Sequence, residues 1–407
     1  SLSATARIYG GPYTMPPFEQ WEYRSSMPWQ YGADLRLAQR FDNVGYSFSG
    51  GIRSDESYRQ YDQSLRGFGF GKITWQPTDL IAVRGFLFGT SEGRENLIYW
   101  RDLDNATRPP LAQNLEERLF TTKWAFGLDY SQVLSGSTSL TARYGFFRTS
   151  FENRIDGEKL DSNYSTAYAH NFEAQTTTRV VDDLILTAGL NGRINWVRSD
   201  VYATALQSIL SGYAQLEYTT GPVIITAGLR ADREETESLP EQLEFSPKFG
   251  VTWTINDELT MRSSVGRGFR APTIAERYAN IRYGPFNVRP NPDLLSEHSW
   301  SGEIGLRYMS SAFIVPIDID IAVFDNELFD LIEPTFALDD PGVPIVFRNL
   351  TRARILGTEL TVRLMLPASV GIESGFTYML PRDLELDAIL KYRNRVLWYT
   401  RANRKSV

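Results

Sequence analysis

Cysteine is absent from this 407-residue chain, which excludes disulfides, thiolate metal sites and thiol nucleophiles. Histidine is nearly absent: His170 and His298 stand alone, and two distant imidazoles without a thiol give no transition-metal cluster at ligand spacing. Long apolar runs are also missing. The longest stretch free of Asp, Glu, Lys and Arg is Val201 to Leu216, and it carries Gln207, Ser208, Ser211, Gly212 and Gln215. A spanning helix needs about 20 mostly apolar residues, so a helical membrane protein is excluded. Lysine is scarce, 6 against 36 Arg. Arginine forks suit carboxylates and phosphates better than lysine does, although genomic base composition explains the bias equally well. A net charge of -7, with pI near 5.2, argues against nucleic acid as partner, because phosphate binding needs a basic face. Ser1 to Gly10 carries neither a secretory apolar core nor a targeting segment.

What is abundant points elsewhere. Phe, Tyr and Trp make up 13% of the chain beside 31 Gly, and charged residues are held to 22%. Mean hydropathy is nevertheless -0.30. With 42% hydrophobic residues, the composition is not that of a disordered chain. Period-two alternation runs throughout. In Leu184 to Arg198 the even positions read Leu184, Leu186, Ala188, Leu190, Gly192, Ile194 and Trp196, against Thr187, Asn191, Arg193 and Asn195 among the odd ones. Ile355 to Leu366 sets Leu356, Leu360, Val362 and Leu364 against Glu359, Thr361 and Arg363. In Val223 to Glu234 the more polar face is Ile224, Thr226, Gly228, Arg230, Asp232 and Glu234.

Soluble sandwiches alternate too, so strand length and loop asymmetry carry the distinction. The runs are about 9 to 15 residues, enough for a tilted bilayer crossing. Tight turns at Asp42-Asn43, Gln76–Asp79, Ser135–Ser137, Asp182-Asp183, Thr220–Pro222, Asn256-Asp257, Ser310-Ser311 and Pro367–Ser369 alternate with long segments. The long ones are Gly10–Gln30, Glu92–Arg118, Asn153–Ala167, Thr236–Leu243, Ala271–Glu297, Asn326–Pro344 and Pro381–Arg393. Short turns on one side and long loops on the other mark an outer-membrane barrel. The expected fold is all-β: a transmembrane antiparallel β-barrel with about 18 strands, short periplasmic turns and long extracellular loops, running from Leu2–Tyr9 to Asn394–Ser406.

Enzyme-like strings do not survive inspection. Gly89-Thr-Ser-Glu-Gly93 has nucleophile-elbow spacing, but a polar loop follows where the elbow needs a helix. Gly266-Arg-Gly-Phe-Arg-Ala271 matches part of a dinucleotide fingerprint, yet it ends a strand and Pro272 follows, where that fingerprint needs a helix. The acidic segment Asp232–Glu241 reads as a solvated loop before a calcium site. No enzyme, resident cofactor or metal is expected.

The glycine string is informative with its surroundings. Gly266-Arg-Gly-Phe-Arg-Ala-Pro-Thr-Ile-Ala-Glu-Arg-Tyr278 resembles the hallmark segment of TonB-dependent outer-membrane receptors. Asn291–Gly305, Val323–Glu333 and Phe347–Leu360 are similar to three further strings of that family, in its order and spacing. Residues 1–242 show barrel patterning but no such string. The resemblance implies a bacterial outer-membrane receptor of the siderophore-uptake type, with 22 strands around a plug domain and a TonB box upstream. Against that plan, residues 1–407 read as a single barrel domain truncated at both ends, the plug and box preceding Ser1.

Several partners follow from the resemblance: outer-membrane lipid and lipopolysaccharide, the TonB energy-coupling complex through a missing N-terminal region, the plug domain, and a small metal-chelate ligand. Surface or periplasmic proteins are further possible partners. Aromatics and cations in loops can clasp an anionic chelate by stacking and charge, which singles out Trp21, Tyr23, Trp29 and Tyr31, then Tyr99, Trp100 and Arg101, then Tyr278, Arg282, Tyr283 and Arg289. Interfacial girdles explain some of them as well. Arg143, Arg193, Arg230, Arg262 and Arg363 are expected on the lumenal face, toward a plug or water. The leading expectation is active import of a ferric siderophore. Cobalamin, glycan or peptide uptake stays open, as does a barrel serving as a structural subunit of an envelope complex.

Overall fold

β-Branched and aromatic residues at alternate positions favour pleated strands, and the computed structural model is built almost wholly of them. It describes residues 2–384 apart from 98, 112–114, 284–285, 312–314, 338–341, 350–351 and 368–369, and leaves the side chains at 161–163, 283 and 286 undescribed. The expected last strand, Asn394–Ser406, and most of the loop Pro381–Arg393 therefore lie outside the described residues. Seventeen strands belong to one large antiparallel sheet.

The chain divides into two units: residues 1–174 with 191–208, and residues 175–190 with 209–407. In the first unit, β1 (Leu2–Pro12), β2 (Trp29–Phe41), β3 (Val44–Asp55), β4 (Ser64–Thr78), β5 (Ile81–Glu95), β6 (Glu117–Val133) and β7 (Thr138–Ile155) pair in sequence order. β8 (Glu158–Val181), β9 (Leu184–Ser199) and β10 (Ala205–Thr220) have residues in both units.

The second unit holds β11 (Val223–Thr236), β12 (Gln242–Thr254), β13 (Leu259–Arg270) and a one-turn helix α1 (Ile274–Tyr278), then β14 (Ile281–Tyr283), β15 (Phe286–Arg289), β16 (Glu297–Ser310), β17 (Ile317–Phe329), β18 (Ile332–Phe336), β19 (Ile345–Asn349), β20 (Ala353–Leu366) and β21 (Val370–Asp383). Its long strands pair as β11–β12–β13–β16–β17–β20–β21. The loops carry a second, four-stranded sheet, β14–β15–β19–β18, in which β15 and β19 run parallel.

The registers bear out the alternation. On β11 the face bearing Arg230, Asp232 and Glu234 meets Ser246, Glu244 and Gln242 of β12. Along β16 and β17 the opposite face is Ile304, Leu306, Ile319, Ile321 and Val323. A sheet with one charged and one apolar surface hides both in its average hydropathy. Ring-over-glycine packing fixes some registers. A Cβ at Gly127 would lie 2.0 Å from the Phe86 ring, so only glycine fits opposite that phenylalanine.

One expected long loop is not there. Asn153–Ala167 forms a tight hairpin turning at Asp156-Gly157, with φ of 50° and 83°, the left-handed pair that two-residue hairpins require. The strands run on through the expected loop, giving 18 residues in β7 and 24 in β8.

Candidate functional site

In the first unit, three loops interlock. The loop after β1 carries a 3-10 turn, Glu19–Trp21, and the loop after β5 carries another, Leu103–Asn105. Trp21 Nε1 donates to the Leu103 carbonyl at 2.8 Å, Arg108 donates to the Glu22 carbonyl at 2.9 Å, and the Thr107 hydroxyl donates to the Trp21 carbonyl. The Tyr23 hydroxyl donates to the Ser57 carbonyl at 3.0 Å, and Arg24 pairs with Glu56 at 3.1 Å. Burial pushes the Tyr23 phenol up, with Arg24 opposing. Tyr13, half-buried and donating to Asp55 at 2.8 Å, is pushed up to about 12 by partial burial and the carboxylate.

This cluster brings together Trp21, Tyr23 and Arg101, whose Nε donates to the Pro109 carbonyl at 3.1 Å. Trp100 is 55% exposed beside them in sequence, and Tyr99 precedes it. Trp29 meets the clasp through its backbone alone, its amide donating to Glu56 at 3.2 Å, and the side chains of Trp29 and Tyr31 lie apart from it. They open β2 on its apolar face, in line with Ala33 and Leu35, and stay half exposed, as girdle aromatics do.

The second unit holds the other group. Tyr278 closes α1, and Arg282 and Arg289 sit on the small strands β14 and β15; the Tyr283 side chain lies outside the description. The segment is anchored by carboxylates. Thr273 and Glu276 form a capping box on α1. Arg270 bridges Glu276 at 2.9 Å and Glu297 at 2.6 Å. Burial raises the Glu276 carboxyl, but Arg270 and Thr273 outweigh it and hold it below its ordinary range. Underneath, Arg277 and Glu234, 2% and 3% exposed, face each other at 3.7 Å. Asp232 is equally buried and takes the Ser211 hydroxyl at 2.5 Å and Arg230 at 2.9 Å. Asp232–Glu241 is thus a solvated loop only in its second half: residues 232–236 belong to β11, where Asp232, Glu234 and Thr236 are buried while Arg233 and Glu235 face solvent. No group of His, Asp and Glu able to hold a metal occurs among the described residues.

Four of the five wall arginines are held by carboxylates. Arg143 pairs with Glu173 at 3.4 Å and Asp129 at 3.6 Å, Arg230 with Asp232 at 2.8 Å, and Arg363 with Asp318 and Glu373, each at 3.2 Å. Arg262 forks onto Asp320 at 2.8 and 2.9 Å and reaches Glu303 at 3.0 Å, tying β13, β16 and β17. Arg193 is exposed and unpaired among the described residues. A depression of about 640 Å³ lies beside Arg262 on the polar face, floored by Gly250, Ser264, Gly266 and Ser301 and rimmed by Lys248 and Glu303.

Both histidines sit against aromatic rings. The Tyr144 hydroxyl is 2.8 Å from His170 Nδ1. His298 stacks on Phe329 at 5.5 Å, with Asp330 at 3.6 Å.

Sequence reading missed another cluster, because it exists only once β1 to β4 are in register. The Tyr9 ring lies between the guanidinium groups of Arg7 and Arg53, at 4.9 and 5.6 Å. Arg53 stands directly opposite Arg66. The alternation of β3 could have flagged Arg53, but not its neighbours.

Long antiparallel strands with one apolar and one charged surface, tight turns at one end and structured loops at the other, are those of a transmembrane β-barrel. The chain belongs to the family described as TonB dependent receptor-like, beta-barrel, whose model matches residues 3–404. It is an outer-membrane barrel, with the apolar face toward lipid and the charged face toward the lumen.

An iron-regulated outer membrane virulence protein of Vibrio cholerae is 27% identical over 166 residues, which are 38% of this chain and 24% of that protein. A probable hemoglobin and hemoglobin-haptoglobin-binding protein 3 of Haemophilus influenzae is 28% identical over 127 residues, 29% of this chain and 11% of that one. The matched stretch is thus about a quarter or less of those relatives' lengths. Among solved structures, the siderophore receptor PirA of Pseudomonas aeruginosa superposes with TM-score 0.70 at 15% identity, covering 94% of this chain and 66% of that one. The Serratia marcescens hemophore receptor HasR, in complex with hemophore HasA and heme, gives TM-score 0.69 at 15% identity over 93% and 63%. At these identities the structural likeness shows the fold.

Proposed function

We propose that the chain is the barrel domain of an active transporter that imports a ferric siderophore, with a plug domain and a TonB-coupling segment encoded outside these 407 residues. The loop cluster of the first unit carries the reading. Trp21, Tyr23, Trp100, Arg101 and Arg108 are gathered on one pair of loops and cross-braced through backbone carbonyls. Pre-ordered aromatics and guanidinium groups bind a compact anionic chelate without a large ordering cost. The relatives' own descriptions, an iron-regulated outer membrane protein and siderophore receptors, support iron as the nutrient.

Haem is the second reading, supported by the haemoglobin-binding relatives and the hemophore receptor. Neither histidine is free in a loop to meet it: both sit on strands against aromatic rings. Growth of a deletion strain on single iron sources tests the proposal. A defect on a ferric siderophore, reversed by the intact gene, supports it; a defect confined to haem selects the second reading, and normal growth on every iron source overturns both.

A further inference from the structure

The chain as a whole is acidic, yet one wall is not. On the polar faces of β1 to β4 the register brings together six cations, Arg7, Arg36, Arg40, Arg53, Arg66 and Lys72, with only two carboxylates, Asp34 and Asp55. The opposite faces of the same four strands carry no charge at all. Three of the cations are engaged: Arg7 by Asp34, Arg66 by Glu92 of β5, and Arg40 by Gln76. The other three form no ion pair among the described residues, and all three are exposed. Among the described residues Arg53 bonds only the Tyr9 hydroxyl, at 3.2 Å, through Nε.

Placement in register orders them. Arg53 lies two residues from the loop end of β3, Arg36 stands opposite Ser49, and Lys72 opposite Ser47. At about 3.3 Å per residue the three are staggered down the wall by about 13 Å and then about 7 Å. Phe70 also faces Ser49, and Phe86 faces Lys72; their rings stack at 6.3 Å. Like charges opposed across strands, as Arg53 and Arg66 are, weaken a sheet, and Phe86, although its ring covers Gly127, stays 38% exposed on the lumenal face. Both features become favourable when an aromatic anion lies against the wall.

We infer that this face is a track for an anionic chelate carrying aromatic rings, with Arg53 as its entry station and Arg36 and Lys72 as the next two. The inference rests on the import reading above and adds the charge and ring character of the cargo. A wall with a strong excess of one sign focuses potential and raises local counter-ion concentration by about 10- to 1000-fold, so neutralising all three cations should cost at least about tenfold in transport at low substrate.

The test uses the full-length receptor in its deletion strain. Labelled iron is supplied as a trianionic ferric tris-catecholate, as haem, as ferric citrate or as a neutral ferric tris-hydroxamate. Uptake is compared for the parent, Arg36→Gln/Arg53→Gln/Lys72→Gln, and the charge-keeping Arg36→Lys/Arg53→Lys/Lys72→Arg, with surface abundance measured for each. The expected result is import of an aromatic anion, at least tenfold weaker in the neutral variant and restored in the charge-keeping one. Equal import of that anion by the neutral variant overturns the track and leaves the import reading standing. Import of citrate or the neutral hydroxamate alone overturns the cargo class. Failure to import any of the four overturns the import reading and the track together.

Discussion

Glu276→Ala isolates the anchor that holds the segment after β13. The carboxylate accepts the Thr273 amide at 2.8 Å and its hydroxyl at 2.9 Å, and pairs with Arg270 at 2.9 Å. The Thr273 hydroxyl still caps the residue-276 amide in the variant, so the loss is that of the hydrogen bonds to a charged acceptor, about 1.5 kcal/mol. The Arg270 side chain is 44% exposed and keeps Glu297, so its pair adds at most about 0.5 kcal/mol. The sum is about 2 kcal/mol, or about a 30-fold larger open population of α1.

Hydrogen exchange reads it directly at Arg277 and Ala279, whose amides donate to Thr273 and Ala275 at 3.1 and 2.9 Å. Both should exchange about 30-fold faster in the variant, with β13 amides unchanged. Because the folded carboxyl is held below its ordinary 4.5, its stabilisation is complete above that value and is lost as pH falls through the folded value. The parent should therefore approach the variant in acid, while the variant stays flat. Exchange at Arg277 and Ala279 within threefold of the parent near neutrality would refute the anchor.

Arg277→Met should lower the thermal midpoint sharply, by the about 3–5 kcal/mol that breaking a buried pair costs, since it leaves Glu234 at 3% exposure facing apolar atoms. Adding Glu234→Gln should recover part of the loss. Gly127→Ala forces the Phe86 ring aside and should cost about 1–3 kcal/mol by urea unfolding, and Phe86→Leu should rescue it. Tyr13 should ionise near pH 12, as followed by ultraviolet absorbance. Its contribution to stability is intact below the ordinary 10 and is lost as pH rises toward 12, so Tyr13→Phe should be indifferent to that window.

The strands were legible because a two-residue period leaves a mark in every segment: Ile224 to Glu234 fall on one face as the alternation requires. Tight turns were legible from Asp, Asn, Gly and Pro. The Asp156-Gly157 turn was passed over because polar residues on both sides, Asn153 and Glu158 to Asn163, look like loop when strands leave the bilayer and both faces meet water. α1 is too short for helical periodicity to register, although Thr273 and Glu276 have capping-box spacing. The site was half legible. Aromatics and arginines in loops could be named, but whether Trp29 faces lipid or ligand depends on its register with β3. The wall of Arg36, Arg53 and Lys72 comes from three separate strands, so no local string contains it.

The β7–β8 hairpin has a consequence of its own. Eighteen residues of β7 span about 59 Å along the strand, and at a tilt of about 40° they rise about 45 Å, against an apolar band about 25 Å tall. Some 20 Å of paired backbone then stands clear of the lipid, ending in a two-residue tip. Such a mast is stiff where a loop would be pliant. An epitope spliced between Asp156 and Gly157 would be held clear of the lipid, where an antibody or a fluorophore could report on the receptor.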